Sequence, residues 1–232
     1  MKQLVCALAM CTSCATSQVF IGATEAATLQ RALAGEERFL KIAFFSTPFF
    51  GDATKKLLSP VAPEQLRLLS NADGTPMNPG RTERVFGPGT VVRILKVEFP
   101  TAYVMSERVL YTPRSLAWVY LDIAGTPKGS PASILVLRPG LADENEVRTE
   151  IDRYLSKEDV TATMGTFSEP VRAAILEKRA LVDMTSTALE MAWGYPETKK
   201  VELDGSVKQE TWTWPDRTRV AVLRDGRVSE LR

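Results

Sequence analysis

The sequence predicts an α+β protein of two domains: a small β-barrel or sandwich, followed by a unit in which helices pack on an antiparallel sheet. Three observations carry this. From Thr90 to Leu137, short β-type runs alternate with Pro and Gly breaks, as in small barrels and sandwiches. From Lys199 to Leu231, alternating runs are separated by Asp204-Gly205, Pro215-Asp216 and Asp225-Gly226, and Asp-Gly suits the positive φ of a primed hairpin turn. Between these regions stand two helix starts, Asp143-Glu-Asn-Glu146 and Ser168-Glu-Pro170: a capping box, and a cap followed by Glu and Pro in the first turn. The expected boundaries are a leader and tether over 1–24, a mixed domain over 25–142, and a helix-helix-sheet domain over 143–232.

The leader reads MKQLVCALAMCTSCATSQ, with Lys2 before an apolar run from Leu4 to Met10 and small residues after it. That is the order of a secretory signal, and the run is too short to span a bilayer. All three cysteines, Cys6, Cys11 and Cys14, fall within it. Thr12 and Ser13 before Cys14 suit lipoprotein processing, which would attach acyl chains to Cys14 and anchor the mature chain to a membrane. Cys11 is a second candidate, with Met10 beside the cut. Plain cleavage near Ala15 or Ser17, giving a soluble secreted protein, and an uncleaved segment of a cytosolic protein are the alternatives. Ala15, not Asp, follows Cys14; for a Gram-negative lipoprotein this implies delivery to the outer membrane.

Ala26 to Phe45 has helical spacing through Leu29, Leu33 and Leu40, interrupted by Gly35. In FFSTPFFG, Phe44 to Gly51, Pro48 is expected to prevent one continuous element and to leave two short apolar arms under the first domain; an exposed aromatic patch is the alternative. Pro63 to Leu69 reads as a short helix. Asn71 to Gly89, with four glycines and three prolines, reads as a long loop. Thr90 to Phe99, Ala102 to Ser106, Leu116 to Ile123 and Ser133 to Leu137 are the expected strands. The Gly89-x-x-Val92 opening before them resembles an SH3-type barrel, which implies no ligand. In the helix that follows, Val147, Ile151, Tyr154 and Leu155 mark the apolar side, while Glu146, Glu150 and Asp152 read as a solvated face.

Val171, Ala174, Ile175 and Lys178 form the stripe of the next helix. Thr185 should cap a short helix running through Trp193, with Gly194 as its stop. Trp193, Trp212 and Trp214 then read as a seam between helix and sheet, each able to bury roughly 150–250 Å². In order, Met184-Thr185, Trp193-Gly194-Tyr195-Pro196, Glu210-Thr-Trp212-Thr-Trp214 and Val220-Ala-Val222 with Asp225-Gly226-Arg-Val228 resemble the BamE/SmpA-type module of small Gram-negative envelope lipoproteins. The resemblance covers about residues 169–232. Asp183 departs from it, standing where that family has Gly, and the long N-terminal part has no counterpart in its minimal members. It implies a helix-helix-sheet fold and contact with other envelope proteins.

With 29 basic and 28 acidic residues, the chain lacks the basic excess of a nucleic-acid binder. The absence of His excludes Ser-His and Cys-His catalysis and removes the commonest zinc ligand. No catalytic, cofactor or metal site is therefore expected. The expected function is a non-catalytic, lipid-anchored envelope protein that binds other envelope proteins or cell-wall material. Alternatives are a soluble secreted inhibitor, or a cell-wall hydrolase using Asp122 with Asp143 or Glu144.

Overall fold

A computed structural model describes residues 16–204, 207–214 and 218–232. Cys6, Cys11 and Cys14 lie outside these residues, as do Gly205, Pro215 and Asp216 of two expected turns. The described chain is mixed α and β, with two sheets and six α-helices: α1 (Ala23–Leu33), α2 (Ala102–Glu107), α3 (Glu144–Tyr154), α4 (Thr161–Gly165), α5 (Glu169–Leu176) and α6 (Ser186–Trp193). No helix among the described residues is long and apolar enough to cross a membrane.

The larger sheet has eight strands: β1 (Glu37–Leu40), β2 (Phe44–Phe49), β3 (Asp52–Ser59), β4 (Arg84–Phe86), β5 (Val91–Glu98), β6 (Trp118–Ile123), β7 (Ala132–Val136) and β8 (Leu155–Ser156). Their order is β4-β2-β3-β7-β6-β5-β1-β8, antiparallel except for β3 beside β7. Leu29 and Leu33 of α1 and Val147 and Ile151 of α3 share one core with Val92, Ile94, Val119 and Leu121 of the sheet. A second cluster gathers Phe49, Leu57, Leu66, Trp118 and Ile134. The remaining strands, β9 (Thr198–Asp204), β10 (Val207–Thr213), β11 (Val220–Arg224) and β12 (Arg227–Leu231), make the expected antiparallel meander, with neighbours in chain order. Asp225 and Gly226 both have positive φ, 47° and 77°, as the primed turn requires.

Several local expectations are corrected. The helical spacing from Ala26 to Phe45 yields a helix only to Leu33; the chain turns at Gly35 and continues as β1 and β2. β2 runs through Pro48, which pairs with Lys56 just before a bulge. β4 reaches only to Ser46, so one side of β2 carries no ladder at Pro48, the kind of place where a strand tolerates proline. Phe44, Phe49 and Phe50 are buried and form no exposed aromatic patch. Pro63 to Leu69 contains only a 3₁₀ turn, Pro63–Gln65, and the 71–89 loop includes β4. The expected strand from Ala102 to Ser106 is α2: the Thr101 side chain accepts from the Val104 N–H and starts a helix where Pro100 ends the strand.

Candidate functional site

Three cavities share Arg138 and Glu150 in their walls. The first, about 400 Å³, is lined by Leu57, Val61, Leu66, Leu68, Leu135 and Leu137. The second, about 160 Å³, lies where Tyr154 meets Trp193, Gly194, Tyr195 and Trp214. The third, about 690 Å³, is polar and open, bounded by Asp143, Glu146, Glu150, Asp152 and Arg153. Together they form a groove along α3 and the end of β7, reaching the C-terminal unit.

Local sequence explains each wall. Asp143 accepts from the Glu146 N–H at 2.9 Å, and Glu146 reaches back to the Ala142 N–H at 2.9 Å. This capping box sets the start of α3, and from there Val147, Glu150, Ile151 and Tyr154 fall on one face. Gly194 ends α6 at φ 82°, ψ −171°, a region nearly exclusive to glycine. Its carbonyl accepts from the Trp214 indole N–H at 3.0 Å. Tyr195 follows, and its ring lies 6.5 Å from that of Tyr154.

Glu150 is 6% exposed, which corrects its placement on a solvated face. Its Oε2 lies 3.6 Å from Arg138 Nε. Burial raises its pKa above the ordinary carboxylate range, while Arg153 and Arg138 oppose that shift. The Arg153 guanidinium lies 5.3 Å from the Tyr195 ring centre, and burial pushes the Tyr195 hydroxyl up to about 12.

The other carboxylates around the groove are held by the fold. Asp143 and Glu146 cap α3, and Asp152 accepts from buried Arg38 at 2.8 Å. Glu144 pairs with Arg148 at 2.7 Å, and Asp122 is an exposed residue of β6 opposite Arg93; neither lines the groove. The structure therefore does not bring Asp122 together with Asp143 or Glu144 in these cavities. Among the described residues, no cluster of three or more Asp or Glu side chains is placed to hold a metal. What the groove offers is a long apolar wall, one sunken carboxylate, three guanidiniums and two tyrosine rings, a surface suited to binding an extended chain with alternating apolar and polar groups.

Sequence reasoning missed this groove, although a signal was present: Val147, Glu150, Ile151 and Tyr154 follow the i, i+3, i+4, i+7 pattern of a buried stripe, so Glu150 occupies a position that an apolar residue usually fills. Of the three seam tryptophans, Trp212 and Trp214 are buried and Trp193 is partly exposed at the groove. Compared with known proteins, the chain matches no family, no curated protein and no solved structure.

Proposed function

We propose that this protein is an outer-membrane lipoprotein, anchored through Cys14 and facing the periplasm, that acts without catalysis as an interaction or scaffold subunit of an envelope assembly. The observation that supports it most is the groove at the junction of the two units, whose apolar wall from Leu57 to Leu68 and charged Arg138–Glu150 rim suit a peptide segment of an envelope protein. In this reading the C-terminal unit is a BamE-like module, its α5 and α6 lying on a four-stranded meander. The N-terminal sheet is read as SH3-like, with bulges in β2 and β5 of the kind that curl sheets toward barrels.

A photo-crosslinking residue placed at Leu68 in the full chain, activated in intact envelopes, should capture one or a few discrete envelope proteins. Arg138→Glu, which places like charge beside Glu150, should reduce that capture by about tenfold. Capture of nothing at Leu68, or of the same mixture with and without R138E, would sink the proposal.

A soluble inhibitor is the second reading, favoured by Val201 and Leu203, which are 53% and 78% exposed on edge strand β9. Metabolic labelling with a fatty acid separates the two, because only the anchored protein carries label on Cys14.

A further inference from the structure

The helix α2 and the loop after it display apolar side chains in an unusual way. Tyr103, Val109, Leu110 and Tyr111 are 73%, 46%, 57% and 62% exposed, yet Arg108 among them is buried. Its guanidinium lies 3.6 Å from the Trp118 ring centre, pairs with Glu98 at 2.9 Å and donates to the carbonyls of Arg114 and Leu116 at 2.8 and 2.7 Å. Thr112 closes the turn by donating to the Val109 carbonyl at 2.7 Å. The loop is thus held from within by a charged side chain while its apolar residues point to solvent, the reverse of what burial of apolar surface favours.

Gln18, four positions along the chain from Cys14, is fixed beside this loop. The Gln18 N–H donates to the Ser115 carbonyl at 3.0 Å, and the Gly140 N–H donates to the Gln18 carbonyl at 2.8 Å. Four residue steps lead from Cys14 to Gln18 and four from Ser115 to Tyr111, each spanning at most about 14 Å. Chain length alone therefore keeps an anchor on Cys14 within roughly 30 Å of Tyr111, against a diameter of about 45 Å for a chain of this size.

We infer that Tyr103, Val109, Leu110 and Tyr111 form a second membrane contact, docking on the lipid surface that holds the Cys14 acyl chains. This rests on the anchored reading above. Tyrosines suit the headgroup level, and Val109 and Leu110 suit the acyl boundary. Glu107 and Arg114 offset each other in charge, so the contact is apolar in character and insensitive to salt. It sets the orientation of the molecule on the membrane.

The test uses the acylated full chain in vesicles of phosphatidylethanolamine and phosphatidylglycerol with brominated acyl chains, which quench tryptophan on contact. Leu110→Trp should be quenched at least about twofold more than Leu203→Trp, a control on exposed β9. In a Cys14→Ser background, Leu110→Ser with Tyr111→Ser should lower vesicle partition by roughly tenfold or more, with little change between low and high salt. Fatty-acid labelling of Cys14 reports on the anchor separately: absence of label with Leu110→Trp still quenched on the C14S chain would remove the anchor and leave the lipid contact. Equal quenching at positions 110 and 203 would overturn the inference. So would a crosslinker at position 110 that captures a protein in intact envelopes.

Discussion

Lys178 sits in an environment far from the usual one for its type. It follows α5 with φ 55°, is 7% exposed, and donates through Nζ to the Ala43 carbonyl at 2.6 Å across the junction. Phe45 lies beneath it, with the ring centre 5.1 Å away. Burial, and then the nearby positive Arg219, push its pKa from 10.5 down to about 7. The unfolded chain thus holds a proton at mildly alkaline pH that the folded chain has released, so stability rises with pH through this window and falls as the pH drops toward 7. From pH 7 to about 9 the rise should be on the order of 1–2 kcal/mol, measured by denaturant titration, and Lys178→Met should remove it. A natural chain with a flat profile over that range, or a K178M profile that still climbs, would refute this. The sequence held the clue: Lys178 continues the stripe of Val171, Ala174 and Ile175, although its basic character pointed to an exposed helix end.

At the scale of elements, most caps and turns were legible because each is decided by a few neighbouring residues; the exception is Ser168, which stands at the start of α5 but makes no side-chain cap bond. Thr185 accepts from the Ala188 N–H at 3.2 Å and Asp143 caps α3, both as the sequence predicts. Asp143→Ala should cost about 1 kcal/mol and speed amide exchange in the first turn of α3, whereas Asp143→Asn should cost only a few tenths. Equal losses for both substitutions would show that charge, not the hydrogen bond, matters. What the sequence hid are features set by partners distant along the chain. In β5 the buried positions are Val92, Ile94 and Val97, because a bulge between Ile94 and Lys96 moves the inward face by one residue. That shift turns a mixed apolar pattern into a regular one and leaves Leu95 46% exposed. The groove was hidden for the same reason. The sequence does not reveal that the segment from Leu57 to Leu68, β7 and α3 meet.

At the scale of the whole molecule, directional contacts join the two sheets. The Ala43 N–H donates to the Met191 carbonyl at 2.8 Å, Lys178 reaches the Ala43 carbonyl, and Tyr195 packs against the N-terminal core. Gly194 sits at the centre of this junction. A side chain there would begin 3.3 Å from Ile42 Cδ1 and 3.6 Å from Pro60 Cβ, in a backbone conformation that costs other residues of order 1–3 kcal/mol. Gly194→Ala should therefore destabilise both units at once. Its backbone strain belongs to the C-terminal unit, while the crowding falls on Ile42 and Pro60 of the N-terminal one. Hydrogen exchange under mild denaturant provides the check, followed at Leu121 in β6 and at Thr211 in β10. If the junction couples the sheets, both amides should lose protection by similar amounts, of order 1–3 kcal/mol. Loss confined to Thr211 would mean that the units open independently, and a groove built from both could not then be held in one shape.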